Sequence, residues 1–207
     1  MAVTDSPYAM WLRGDLAEYL KVRDGTRVEI IGGRVVVSPM PSLGHNWIIH
    51  GIRRAFVTAE LQDDTFPWQT VEVADLNLST ADGYVPDVLV MDADVYDDAA
   101  QKDLQWLAGY QVNLVVEVTS SDTAGHDREP ASPGGGATKW AGYSRAGIPF
   151  FLLVDRDPAV SMTALFAGPD RERGVYASVR SWSFGETVDL PDPFKVTIPT
   201  DDWRPWA

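Results

Sequence analysis

The sequence predicts a mixed α/β fold, one curved sheet flanked by helices, and three observations carry that prediction. Residues 85–92, 112–120 and 150–155 are apolar runs of strand length, the pattern of strands covered on both faces. A short helical stretch around 138–146 lies between the last two, as a parallel crossover requires. A helix, a hairpin and a second helix come before these strands, and short strands divided by Gly and Pro come after them.

Taken in order, Ser6-Pro7 opens a helix that runs to Leu20, with Trp11, Leu12, Leu16, Tyr19 and Leu20 near one face. Two apolar strands follow within residues 27–38, joined by Gly32-Gly33, a two-residue loop typical of a hairpin. Pro39 and Pro41 end the second strand. Ser42 caps a helix over about 43–60, whose expected buried stripe is Trp47, Ile48, Ile52, Phe56 and Val57. Residues 68–78 alternate and read as one half-buried strand, followed by a turn at 81–83. The acidic stretch 94–105 reads as a loop with a helical turn. A long Pro/Gly-rich loop leads to the short helix, which Gly147 and Pro149 stop. The whole chain reads as one domain, with its core at about 27–155 and C-terminal strands over 156–199.

Composition narrows the function. There is no cysteine, so disulfides and thiolate zinc sites are excluded. The three histidines, His45, His50 and His126, are too scattered to suggest a three-histidine metal site. The N-terminus lacks a basic start followed by an apolar run, and no apolar run spans a bilayer, so the expectation is a soluble cytoplasmic protein. The net charge of −13 argues against nucleic acid, whose phosphates are bound by Lys and Arg. It does not exclude a cluster of carboxylates that recruits a metal ion.

Two of the apolar runs carry an acid where a hydrophobe would be easier to bury. These are Asp87, in Val85-Pro86-Asp87-Val88, and Glu117, in Val115-Val116-Glu117-Val118. A lone buried carboxylate is unfavourable. For either acid alone, a strand end or an arginine partner is the simpler reading. Together, and separated by 117 − 87 = 30 residues, they could sit on neighbouring strands and share one divalent cation. Lys139, on the next helix, could then hold the attacking water or stabilise phosphate charge. Its alternative is a solvated surface lysine.

These pieces, in this order, resemble the Uma-two family of restriction-endonuclease-like proteins, within the PD-(D/E)xK nuclease superfamily. The resemblance rests on the hairpin with Ser38-Pro39-Met40-Pro41, on the Asp87 and Glu117 segments, on Asp127-Arg128, and on residues 139–155. It implies a restriction-endonuclease-like fold and cleavage of DNA with Mg²⁺ or Mn²⁺. Asp87 and Glu117 match the two metal-binding acids. Thr119 stands where many superfamily members carry lysine, and Lys139, four residues before Tyr143, takes that role. Glu29 matches a further glutamate, a possible metal or water ligand. His45, Arg128 and Tyr143 are the substrate-binding candidates, His45 because a helix start suits a phosphate. The insert at 129–138 departs from the family pattern and leaves open whether Lys139 reaches the site. A homodimer is the arrangement expected if both DNA strands are cut.

Other motifs carry less. Asp92 to Asp103 begins like a calcium loop but has Asp97 where a glycine is needed. Gly134-Gly135-Gly136-Ala137-Thr138-Lys139 lacks the order of a phosphate-binding loop. Ser120-Ser121 and His126 lack the glycines of a nucleophile elbow. Arg34, Arg53, Arg54, Arg128, Lys139 and Arg145 sketch a basic rim. Besides an endonuclease, the sequence allows a catalytically inactive nuclease fold used as an interaction or nucleic-acid-binding module. It also allows a hydrolase of other phosphorylated substrates.

Overall fold

The computed structural model describes residues 5–132 and 136–207; Gly134 and Gly135 of the set-aside glycine run lie outside them. Six helices are described: α1 (Pro7–Leu12), α2 (Leu16–Leu20), α3 (Leu43–Gln62), α4 (Ala93–Gln101), α5 (Ala124–Asp127) and α6 (Lys139–Ala146). The strands are β1 (Arg27–Ile31), β2 (Arg34–Ser38), β3 (Trp68–Val71), β4 (Leu76–Ser79), β5 (Asp82–Tyr84), β6 (Val88–Asp92), β7 (Leu107–Ala108), β8 (Leu114–Val118), β9 (Phe150–Asp155), β10 (Met162–Asp170), β11 (Val175–Ser183), β12 (Val188–Asp189) and β13 (Thr197–Ile198).

The expected mixed α/β class is what is found, but the strands divide between two principal sheets. One runs β2-β1-β5-β4-β7, the other β11-β10-β9-β8-β6-β3, and β12-β13 form a small third ladder. The single strand expected over 68–78 is therefore two. β3 pairs with β6 in the larger sheet, and β4 pairs with β5 and β7 in the smaller. Between them Val73 adopts φ +54°, an unusual conformation for a β-branched residue, and the chain changes sheet there. The crossover between β8 and β9 is parallel, as the helix between them implies.

Side-chain alternation builds the layers. On one face of the larger sheet Val88, Val90, Leu114, Val116, Val118, Leu152 and Val154 pack on α3 and the C-terminal segment. On the other face Leu89, Met91, Val115, Phe151 and Leu153 meet α6 and, from the smaller sheet, Ile31, Leu76 and Tyr84. The outer face of β1, with Val28 and Ile30, is covered by Met10, Trp11 and Leu16 of α1 and α2. These two helices replace the single one expected, because Gly14 at φ +77° ends the first.

In α3 the buried residues are His45, Ile48, Ile49, Ile52 and Phe56. Trp47 and Val57, expected in the stripe, are 48% and 45% exposed, and the Trp47 indole donates to Asp202. The acidic stretch after β6 forms α4, capped by the Asp92 carboxylate. Among the described residues no helix is long and apolar enough to cross a membrane.

Candidate functional site

Three acids take positions in the inward-facing rows between the two sheets. Glu29 shares its side of β1 with Ile31, Glu117 shares its side of β8 with Val115, and Asp87 continues the Leu89-Met91 row just ahead of β6. β6 and β8 are antiparallel with Val88 facing Val116, so the next pair is Asp87 and Glu117, on one face. All three acids are 2% exposed and line one cleft of about 230 Å³.

Each is tied down. Asp87 accepts from Arg27 Nη1 at 2.5 Å and the Val118 amide at 2.7 Å, and its Oδ1 lies 2.9 Å from His45 Nε2. Glu29 accepts from the Val85 amide at 2.8 Å. Glu117 accepts from the Tyr143 hydroxyl and from Lys139 Nζ at 3.1 Å. The Lys139 ammonium, 4% exposed, also stands 2.7 Å from Glu29 Oε1 and 3.7 Å from Asp127 Oδ1. Lysine at the first position of a helix opposes the helix dipole, so these carboxylates are what make the placement tolerable.

The electrostatics separate the acids. Burial pushes Asp87 upward, yet the His45 hydrogen bond and charge, Arg27 and the Val118 amide overcome it and hold its pKa at about 2. Burial raises Glu117 well above the usual carboxylate range; Lys139 opposes that, while Asp127, Asp87 and Glu29 add to it. Burial likewise lifts Asp127 to about 7, again against Lys139. Lys139 is raised, because the attraction of Glu117, Glu29 and Asp127 outweighs burial.

The family model described as "Uma2: Putative restriction endonuclease" matches residues 16–200. The chain belongs to the Uma2 family. Among solved structures it is similar to one titled "Crystal structure of a putative nuclease belonging to DUF820 from Anabaena variabilis ATCC 29413", with a TM-score of 0.58 and 14% identity over 86% of this chain and 89% of that one. At that identity the likeness concerns the fold. No curated protein matches the sequence.

In this Uma2 chain Asp87, Glu117, Glu29, Lys139 and His45 converge on one cleft. Arg128 does not join them. Its guanidinium makes a two-pronged pair with Asp155, both contacts at 2.7 Å, and reaches Asp157 at 3.0 Å. Tyr143 is fully buried and does not line the cleft, which it reaches only through its hydroxyl on Glu117. The basic rim does not assemble either. Arg53 pairs with Glu72, and Arg145 lies against Gly174. The cations that do line the cleft beside Lys139 are Arg27 and Arg156, which sequence reasoning missed; Asp127, quoted for the resemblance without a role, lines it too. Arg27 opens the hairpin two residues before Glu29, on the same side of β1, which was the available signal.

A hard divalent cation fits this donor set. Four buried carboxyl groups, Glu29, Asp87, Glu117 and Asp127, line the cleft, with Lys139 and Arg27 paired to them. Oxygen donors of this kind suit magnesium and manganese. Among the described residues no three His, Asp or Glu side chains are grouped so as to enclose an ion. An ion here would take at most two of these side chains as ligands and fill its other positions with water, as magnesium often does.

Proposed function

We propose that this Uma2 domain hydrolyses phosphodiester bonds in DNA, using a magnesium or manganese ion held by Asp87 and Glu117. The observation that carries the reading is their pairing: two buried acids opposite one another on neighbouring strands, both open to one cleft, with Lys139 against one of them. When bound, the ion supplies Lewis acidity, neutralising phosphate charge and making water a better acid. The protein's own residues do the positioning. Asp87 is kept ionised by Arg27 and His45, so it remains a ligand at any working pH. The Tyr143 hydroxyl fixes the carboxylate of Glu117. Lys139, steadied by Glu29, is the donor for a phosphate oxygen as charge develops. A homodimer, with two clefts acting on opposite strands, belongs to the same reading.

Supercoiled plasmid, linear duplex and single-stranded DNA, each incubated with Mg²⁺ or Mn²⁺, test it. The parent protein is expected to cut at least one of them, and Asp87→Asn and Glu117→Gln to cut none. An inert parent, or variants as active as the parent, would refute the proposal. The net charge of −13 favours a second reading, a nuclease fold kept as a binding module. That module would retain DNA or a protein partner and leave every substrate intact.

A further inference from the structure

Arg156 follows β9 and is 5% exposed, yet no carboxylate lies within ion-pairing distance of its guanidinium among the described residues. Both sequence neighbours that could have paired with it, Asp155 and Asp157, are turned to Arg128. Its own partners are neutral: Nε donates to the Arg204 carbonyl at 3.2 Å and Nη1 to Ser42 Oγ at 3.5 Å. Nη2 has no partner among the described residues. A buried guanidinium without a counter-charge is unfavourable.

The backbone of Arg156 is fixed on both sides. The Arg156 amide donates to Thr119 Oγ1 at 2.9 Å, and its carbonyl accepts from the Trp206 amide at 3.0 Å. Across from it stands the start of α3, a twenty-residue helix. A Cβ on Gly44 would sit 3.0 Å from Arg156 Nη2, so the glycine is what lets the guanidinium lie against the first turn. The Ser42 hydroxyl caps the His45 amide, while the Leu43 and Gly44 amides have no intrahelical acceptor. In the same turn His45 Nδ1 is buried without a partner. A positive helix end and an unpaired cation thus lie side by side, an arrangement that repels itself unless an anion in the cleft contacts both. Ser42, His45 and Arg156 all line the cleft that holds Asp87 and Glu117.

We propose that Arg156 and the first turn of α3 form an anion subsite for a tetrahedral phosphate group, beside the carboxylates. The arrangement rests on the proposed nuclease function only for the origin of that phosphate, a nucleotide neighbouring the one cleaved; the binding itself does not need catalysis.

Calorimetric titration of the cation-free protein with sodium phosphate, against sodium chloride at matched ionic strength, tests the subsite. Phosphate is expected to bind the parent protein in the millimolar range and chloride not to compete. Arg156→Gln should weaken phosphate by about tenfold or more, the loss of one charged hydrogen bond. Arg156→Lys, which keeps the charge, should lie between the two. Gly44→Ala, which displaces the guanidinium and keeps every charge, serves if Arg156→Gln does not fold, and should also weaken binding. Glu117→Gln, inactive under the proposed function, should bind phosphate as the parent does, so loss of cleavage and loss of the subsite are separable. Parallel titration with a short DNA oligonucleotide identifies the source: a loss of affinity in Arg156→Gln assigns the subsite to nucleic acid, and an unchanged affinity assigns it to free phosphate. No phosphate binding by the parent, or equal binding by parent, Arg156→Gln and Gly44→Ala, would overturn the inference.

Discussion

Asp87 and Asp127 are both buried aspartates of one cleft, and their surroundings drive them in opposite directions. Asp87 is held at about 2, so its contribution to folding is complete above the ordinary value of 3.8 and disappears as pH falls toward 2. Asp127 is lifted to about 7, so the folded protein takes up a proton that the unfolded chain releases. Its contribution to stability is complete below 3.8 and is lost as pH rises through 7. In cation-free buffer, Asp127→Asn should therefore gain on the parent protein by a few kcal/mol between pH 4 and pH 8. Asp87→Asn should be destabilising at pH 7 and progressively less so below pH 4. Urea midpoints from pH 2 to pH 8 check both; a parent-to-variant difference that does not change with pH over that span contradicts them. Tyr143→Phe removes one donor to Glu117 and should lower stability by about 1–3 kcal/mol by urea denaturation. It should also reduce cleavage without altering the phosphate subsite. Of the site residues, Asp87 and Glu117 were legible because an acid inside an apolar run is conspicuous. Arg156 was not, and Asp127 was visible only as part of the Asp127-Arg128 pair, without a role. Both sit at the ends of elements, where charged residues are usually solvated, and only the packing of β9 on α3 and α5 on α6 buries them.

At the level of elements, α6 links the core to the cleft, since one helix of eight residues carries both Lys139 and Tyr143. Its close approach to β5 depends on Gly142, where a Cβ would stand 2.1 Å from the Tyr84 hydroxyl oxygen. Gly142→Ala should shift the helix and destabilise the fold by about 1–3 kcal/mol. Cleavage should fall with it although no cleft residue is changed. A variant as stable and as active as the parent would show that α6 has slack. The hairpin of β1 and β2 was legible from Gly32-Gly33, both at positive φ. The division of residues 68–78 was not, because alternation reports which side chains share a face and is silent about which sheet receives the strand. In α3 the stripe was read with Trp47 and Val57 where His45 and Ile49 are the buried positions. A tryptophan is drawn inward by area, but Asp202 offers its indole a partner at the surface.

The whole molecule combines a net charge of −13 with a cleft whose cations are largely spent on its own carboxylates. Little attraction is left for a polyanion, so DNA binding should be weak without a divalent cation and should depend only shallowly on salt. A log–log slope of about −1 to −3 is expected for so few phosphate contacts. Fluorescence anisotropy with labelled duplex, with and without Mg²⁺ at constant ionic strength, measures both. Tight binding in chelator with a steep salt slope would place a DNA surface elsewhere. The fold class and the order of its central pieces were legible because local patterns set them. The joining of β1, β6, β8, α3, α5 and α6 around one cavity depends on contacts such as that of Lys139 with Glu29, 139 − 29 = 110 positions apart, which no local pattern encodes. The proposed chemistry requires that Asp87 and Glu117 share one cation. Titration of Mn²⁺ into the parent protein and into Asp87→Asn and Glu117→Gln, followed by calorimetry, tests this most directly. A single site in the parent, lost in each variant, is the predicted result; an absence of binding in the parent, or equal binding in all three, contradicts it.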